Sequence, residues 1–297
     1  MSRIEQALEK AARLRGPLIS AEGATATGAR PRTFDPAVFR APEGGVQEDS
    51  VDRHIVCITT PDSAAAEEYR KLKARIFKTT EKDFLNTLMV TSSQAGEGKS
   101  VTALNLAVAV AHELDRTVLL VDADLRKPRL HAYLGLKPQY GLSDYLLGEK
   151  DLPGLLVKTG IGKLVFLPAG RPPSNPAELI ASERMRELVR ELKQRYADRY
   201  VIFDSSPLLM AADALSLCDY VDGMIFVVQA ARTTPKVASQ ALAVVRNYNI
   251  LGTVFNNVSK DLAREYYPYY YQESPPAPES GAGTISEGRN DAGRDAS

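Results

Sequence analysis

TSSQAGEGKS, residues 91–100, is the stretch whose reading decides the fold. It follows the apolar run Leu88, Met89, Val90 and opens a run of helix formers at 101–114, so it belongs on a strand-to-helix turn. At such a turn backbone N–H groups and the helix N-terminus converge on an anion. Gly96 and Gly98 let the backbone wrap closely, Lys99 can reach β and γ phosphates, and Ser100 offers a hydroxyl to a Mg2+ ion. The strict phosphate-loop pattern asks for glycine five residues before Gly98, where this chain has Ser93. The order strand, loop, helix favours a phosphate-binding loop over a plain glycine turn before a buried helix.

Outward from that loop, residues 117–121 (TVLLV) form a buried parallel-strand pattern ending in Asp122-Ala123-Asp124-Leu125-Arg126. Carboxylates at the C-terminal end of such a strand sit on the ligand-binding edge of the sheet. Val201-Ile202-Phe203 runs straight into Asp204, a second strand-end carboxylate and the expected place for a residue that holds Mg2+ directly or through water. Further strand candidates are 55–58, 164–167, 224–228 and 253–255, with helical patterns at 64–78, 182–196 and 235–248. This alternation predicts an α/β fold: a mostly parallel sheet covered by helices on both faces.

The chain of 297 residues is 44% apolar, enough for one large α/β domain plus tails. Its 37 basic and 37 acidic residues cancel, which leaves no global electrostatic footprint for nucleic acid. Cys57 and Cys218 lie in apolar surroundings and are expected as buried small hydrophobes in a reducing cytosol, too few for a thiolate metal site. No run approaches eighteen apolar residues and no cleavable signal pattern opens the sequence, so a membrane link is expected only through a partner.

Both flanks differ from the body, which is expected over 53–263. Residues 1–15 hold a short amphipathic helix, with Ser2 and Glu5 spaced as a capping box and Gly16-Pro17 ending it. Residues 16–52 are rich in Gly, Ala, Pro and Thr without apolar periodicity and are expected to be a linker. In 264–271, Tyr266, Tyr267, Tyr269, Tyr270 and Tyr271 gather five of the 13 tyrosines, a density that no helical or strand period explains. Residues 272–297 have the Pro, Ser, Gly, Glu and Ala composition expected of a disordered tail.

Taken together, these segments resemble the bacterial tyrosine kinases of capsule and exopolysaccharide export, the CpsD/CapB type, which are P-loop ATPases with deviant Walker motifs. The resemblance covers roughly residues 51–271 and is nearest to the stand-alone autokinases of exosortase-linked polysaccharide loci. SSQAGEGKS is similar to the family's Walker A loop, VLLVDADLRKPRLH (118–131) to its Walker A′ motif, and VIFDSSP (201–207) to its Walker B strand. GLSDYLLG (141–148), LPAGRPPSNPAELI (167–180) and the tyrosine cluster match as well.

The resemblance implies that Gly96, Glu97, Gly98, Lys99, Ser100 and Val101 hold the ATP phosphates, and that Ser100, Asp124 and Asp204 hold Mg2+ directly or through water. Asp122 is the implied base for the tyrosine hydroxyl, Arg126 the Walker A′ arginine, and Asn256 the reader of the adenine edge. The five clustered tyrosines are the implied autophosphorylation sites. Glu67, Arg70 and Lys73 stand at the family's helical interface motif, with lysine replacing an arginine and losing its bidentate contact. Ala95 and Ser206 stand where the family often has proline, changes expected to alter loop rigidity more than chemistry. The implied partners are further copies of the chain in a ring, a membrane-embedded chain-length regulator that activates the kinase, and a phosphotyrosine phosphatase, all at the cytoplasmic face.

Two rival functions share this fold or these residues. A non-kinase ATPase switch of the chromosome-partitioning or division-site type has a second lysine near the start of the phosphate loop, where this chain has Ser92, Ser93, Gln94 and Ala95. A catalytically weak scaffold phosphorylated by another kinase would not need the intact set Lys99, Ser100, Asp122, Asp124 and Asp204.

Overall fold

The computed structural model describes residues 45–195 and 198–259. In chain order the helices are α1 (Val56–Thr59), α2 (Ala64–Thr80), α3 (Lys99–Ala111), α4 (Leu130–Tyr133), α5 (Leu142–Leu146), α6 (Pro176–Ile180), α7 (Glu183–Arg195), α8 (Ala212–Cys218) and α9 (Pro235–Val244). The strands are β1 (Thr87–Ser92), β2 (Thr117–Asp122), β3 (Val157–Lys158), β4 (Leu164–Leu167), β5 (Arg199–Asp204), β6 (Gly223–Gln229) and β7 (Ile250–Asn256). They form one sheet in the order β3-β4-β2-β5-β1-β6-β7, parallel throughout except for the β3–β4 pair.

Strand alternation sorts the apolar residues into two cores. Leu88, Val90, Val118, Leu120 and Ile202 point to the face covered by α3 and Ile76 of α2. Met89, Leu119, Val121, Val201 and Phe203 point to the other face, beneath α7 and α8. Helix α3 is buried along nearly its whole length, mostly through apolar side chains, with Thr102 and Asn105 among its buried polar exceptions. Helix α2 starts where Ser63 Oγ accepts a hydrogen bond from the Ala66 N–H at 3.2 Å. The expected mostly parallel sheet with helices on both faces is the observed architecture.

The strand expected at 55–58 is a helical turn instead. Ile55 C=O accepts from the N–H groups of Ile58 and Thr59, and Asn105 Oδ1 takes the Cys57 N–H at 3.0 Å. Those groups are therefore committed, and the run buries Ile55 against the α3 side of the core rather than joining a sheet edge. Residues 45–52, placed in the linker from sequence, touch the body: Val46 N–H donates to Thr159 C=O at 2.8 Å and Asp52 N–H to Tyr133 C=O at 2.9 Å. Both cysteines are free, and burial pushes their thiols up to about 11 for Cys57 and about 12 for Cys218. Among the described residues no helix is long and apolar enough to cross a membrane. The expected N-terminal helix, the tyrosine cluster and the tail lie outside the described residues.

Candidate active site

Strand β1 is flanked by β5 and β6 and delivers the chain at its C-terminal end into residues 93–98. Gly96 and Gly98 have φ of +84° and +95°, the left-handed region that side chains disfavour. Packing seals the second requirement, since a Cβ on Gly98 would come within 1.9 Å of Asn256 Nδ2. Ser93 is not among the residues with positive φ, which is why the loop closes without the glycine of the strict pattern.

Glu97 closes the loop from within. Its carboxylate accepts from the Gln94 N–H at 2.8 Å and from the Thr233 hydroxyl. The predicted nucleotide-binding role of Glu97 therefore does not extend to its side chain, which is spent on loop structure and does not line the cavity. Asn256, at the end of β7, donates from Nδ2 to the Glu97 C=O at 3.0 Å and so lies directly beside the phosphate loop.

A cavity of about 470 Å3 opens above the loop, and Gly96, Gly98, Lys99, Ser100, Val101, Asp124 and Arg126 all line it. Lys99 Nζ donates to Asp124 Oδ2 at 2.8 Å and to Ser100 Oγ at 3.2 Å. It stands 3.6 Å from Asp204 Oδ1, an ionic contact too long for a hydrogen bond. Burial works to lower the Lys99 pKa, but the charges of Asp204 and Asp124 outweigh it and hold the ammonium above its ordinary value. Burial likewise works to raise Asp124, and the adjacent Lys99 overcomes it and keeps that carboxylate below the ordinary range.

Asp122 and Asp204 lie behind this front row, both fully buried, and are direct neighbours across the β2–β5 pair. Burial pushes Asp204 up to about 6 against the opposing pull of Lys99. Burial, then the charge of Asp204, pushes Asp122 well above the ordinary carboxylate range. Asp122 Oδ2 accepts from the Leu130 N–H at 3.2 Å, which leaves Oδ1 and both oxygens of Asp204 without hydrogen-bond partners. Buried carboxylate oxygens of this kind fit a divalent cation with its water. Among the described residues no three His, Cys, Asp or Glu side chains make a self-sufficient metal cage, and magnesium in nucleotide sites also takes phosphate oxygens and water.

Two groups of residues were not legible as functional. Ser206 Oγ lies 3.0 Å from Asp124 Oδ1 and 2.8 Å from Asp213 Oδ2, while Arg126 Nε donates to Asp213 Oδ1 at 3.2 Å. To the rigidity expected of Ser206 the structure adds a contact: its hydroxyl joins Asp124 to the buried Asp213, a link that proline cannot make. The second group is the turn after β6. Ala231 is held at φ +57°, and Arg232 Nη1 donates to the Gly96 C=O and to Gln229 Oε1, both at 3.1 Å, clamping the phosphate loop from outside. A positively charged residue just past a strand end was the only signal for it.

Glu67, Arg70 and Lys73 share α2, away from the cavity. Arg70 Nε donates to Glu67 Oε2 at 2.6 Å and Nη1 to the Pro61 C=O at 2.9 Å, while Lys73 pairs with Glu113. All three predicted interface side chains are therefore already partnered within the chain.

Residues 88–285 match the family model described as the CobQ/CobB/MinD/ParA nucleotide binding domain. The chain is 35% identical over 222 residues to the tyrosine-protein kinase YwqD of Bacillus subtilis, covering 74% of this chain and 92% of that one. It is 29% identical over 215 residues to the putative tyrosine-protein kinase CapB of Staphylococcus aureus, covering 72% and 92%. The solved kinase domain of the Escherichia coli tyrosine kinase ETK superposes with a TM-score of 0.66 at 29% identity, covering 69% of this chain and 80% of that one.

Proposed function

The chain belongs to the bacterial tyrosine-protein kinases, nucleotide-binding P-loop proteins, and from that premise we propose that it transfers the γ-phosphoryl group of ATP between subunits, onto Tyr266, Tyr267, Tyr269, Tyr270 and Tyr271. The observation that carries this reading is the Lys99 ammonium held between strand-end carboxylates at the mouth of a phosphate loop. Phosphoryl transfer needs chiefly positioning and charge neutralisation, and this set supplies both.

The amides of 96–100 and the N-terminus of α3 receive the phosphates, and Lys99 leaves Asp124 to reach the β and γ oxygens. Ser100, Asp124 and Asp204 would hold Mg2+, which would neutralise charge on the triphosphate. Asn256, beside the loop on the β7 side, reads the adenine edge. Arg126, anchored by Asp213, presents a cation to the transferring group. Asp122 takes the proton of the attacking tyrosine. Its Oδ1, which has no hydrogen-bond partner, is the atom for the hydroxyl.

The biological role that we assign is control of capsule or exopolysaccharide polymerisation and export. A membrane-embedded chain-length regulator brings the kinase to the inner face of the membrane and activates it, and a phosphotyrosine phosphatase resets it. Each phosphate adds about −1.5 to −2 charges, so a fully modified cluster is repelled by the carboxylates of Asp122, Asp124 and Asp204 behind the phosphate loop, which loosens the homo-oligomer. A ring built through α2 requires Glu67, Arg70 and Lys73 to exchange their present partners.

The test is incubation of wild type and Lys99→Ala with Mg-ATP, then phosphotyrosine mapping, with the regulator's cytoplasmic segment added if the protein alone is silent. Phosphate on the cluster in wild type and its loss in Lys99→Ala is the expected result. ATP hydrolysis without phosphotyrosine under both conditions would make the chain an ATPase switch instead.

A further inference from the structure

Resting on that reading, we infer that Lys127, Arg129 and Met210 form the acceptor-docking lip of the cavity, a site for a tyrosine in an acidic peptide, and that its occupant is the segment 264–273 of a neighbouring copy. The cavity has a direction. Its floor is the buried set Lys99, Ser100 and Asp124, whereas Lys127 is exposed and Met210 is 60% exposed at the rim. Its two sides also differ. Asn256 and Arg232 touch the phosphate loop from the β6–β7 side of β1, while Lys127, Arg129 and Met210 follow β2 and β5 on the opposite side. An in-line transfer brings the nucleophile from the side away from the leaving nucleotide. With the base toward Asn256, that approach is the β2–β5 side.

The chemistry of the lip suits such a guest. Arg126 is engaged by Asp213, but among the described residues neither Lys127 nor Arg129 is paired with a carboxylate. Met210 is one of the few large apolar side chains left exposed among the described residues, and it lines the cavity. A thioether is a favourable neighbour for an aromatic ring. The segment 264–273, REYYPYYYQE, carries tyrosines bracketed by Glu265 and Glu273. Glu265 and Glu273 are opposite in charge to the two uncommitted cations, and with Arg264 included the segment keeps a formal net charge of −1.

The experiment uses the full chain with the five clustered tyrosines changed to phenylalanine, so that a synthetic peptide of residues 262–275 is the only clustered acceptor. Steady-state phosphorylation is measured with and without the pair Lys127→Glu and Arg129→Glu, and separately with Met210→Ala. The charge reversal raises the peptide KM about ten-fold or more, with the ATP KM and kcat within about two-fold of the parent. A peptide carrying Glu265→Lys and Glu273→Lys recovers most of that loss on the reversed enzyme and is poor on the parent, a swap that misfolding cannot produce. Met210→Ala raises the peptide KM and leaves the ATP KM unchanged. An increase confined to the ATP KM would assign the cations to nucleotide phosphates and overturn the inference, as would an unchanged peptide KM. A peptide left unphosphorylated by the parent, while wild type modifies its own cluster, would reject docking from a neighbouring copy. Absence of phosphotyrosine in wild type itself would remove the kinase reading beneath it.

Discussion

Replacing Asp204 by asparagine should make the metal-free protein more stable while removing its activity. Asp204 is fully buried at the end of β5, with neither oxygen hydrogen-bonded, Lys99 in ionic contact at 3.6 Å and Asp122 opposite it across the strand pair. Burial, only partly offset by Lys99, raises its pKa from the ordinary 3.8 to about 6. A shift of that size corresponds to about 3 kcal/mol of destabilisation when the group is ionised. The sign follows from linkage: a carboxyl whose folded pKa is raised binds more protons folded than unfolded, so stability falls as pH climbs through the interval between 3.8 and about 6. Above that interval the full cost applies, and below it none does. Asparagine mimics the neutral acid, so Asp204→Asn gains about 3 kcal/mol near pH 7.5 and roughly half of that near pH 5. For a domain of this size the gain corresponds to a rise in Tm of roughly 6–12 °C. Urea or thermal unfolding in chelator at the two pH values measures it. A variant no more stable than wild type at pH 7.5, or a gain equal at both pH values, would refute the reasoning.

The remaining expectations are more local. Arg232→Ala frees the carbonyls of Gly96 and Ala95 and raises the ATP KM about five-fold with kcat little changed, as expected for about 1 kcal/mol of loop positioning at an exposed site. Arg232→Lys restores little of this, because an ammonium cannot span both carbonyls. Gly98→Ala abolishes nucleotide binding in a calorimetric titration. Adding Asn256→Ala removes the 1.9 Å contact yet recovers little, since φ of +95° still disfavours a side chain. Ser63→Ala removes the cap of α2 and lowers unfolding free energy by about 1 kcal/mol in urea titration, with kinase activity unchanged.

What could be read from the chain alone was what local chemistry dictates. The run Leu88, Met89, Val90 followed by Gly96, Gly98 and Lys99 specifies strand, loop and helix within about a dozen residues, so the phosphate site was legible. Asp204 could be placed at a strand end and Asp124 just beyond one from sequence alone, and the structure brings both beside Lys99. Failures came where a distant partner decides the outcome. Residues 55–58 have strand composition, but Asn105 of α3 claims the Cys57 N–H and favours a helical turn. Asp213 carries no motif and Ser206 enters only as a departure from one, and their link to Asp124 and Arg126 exists only once β5 lies beside β2. Arg232 is likewise defined by a loop 136 residues away.

The alignment of β2 with β5 puts Asp122 opposite Asp204 in a continuous parallel ladder. Their spacing is therefore inherited from the inter-strand distance of about 4.8 Å, as on the jaws of a caliper, rather than from loops that adapt on binding. Insertions in the connecting loops leave that gauge untouched, whereas a single residue inserted within either strand turns its terminal carboxylate to the opposite face of the sheet. The tolerance of this fold to altered length is thus set by the sheet: the connecting loops can change length freely, while neither strand can gain even one residue without parting the two carboxylates.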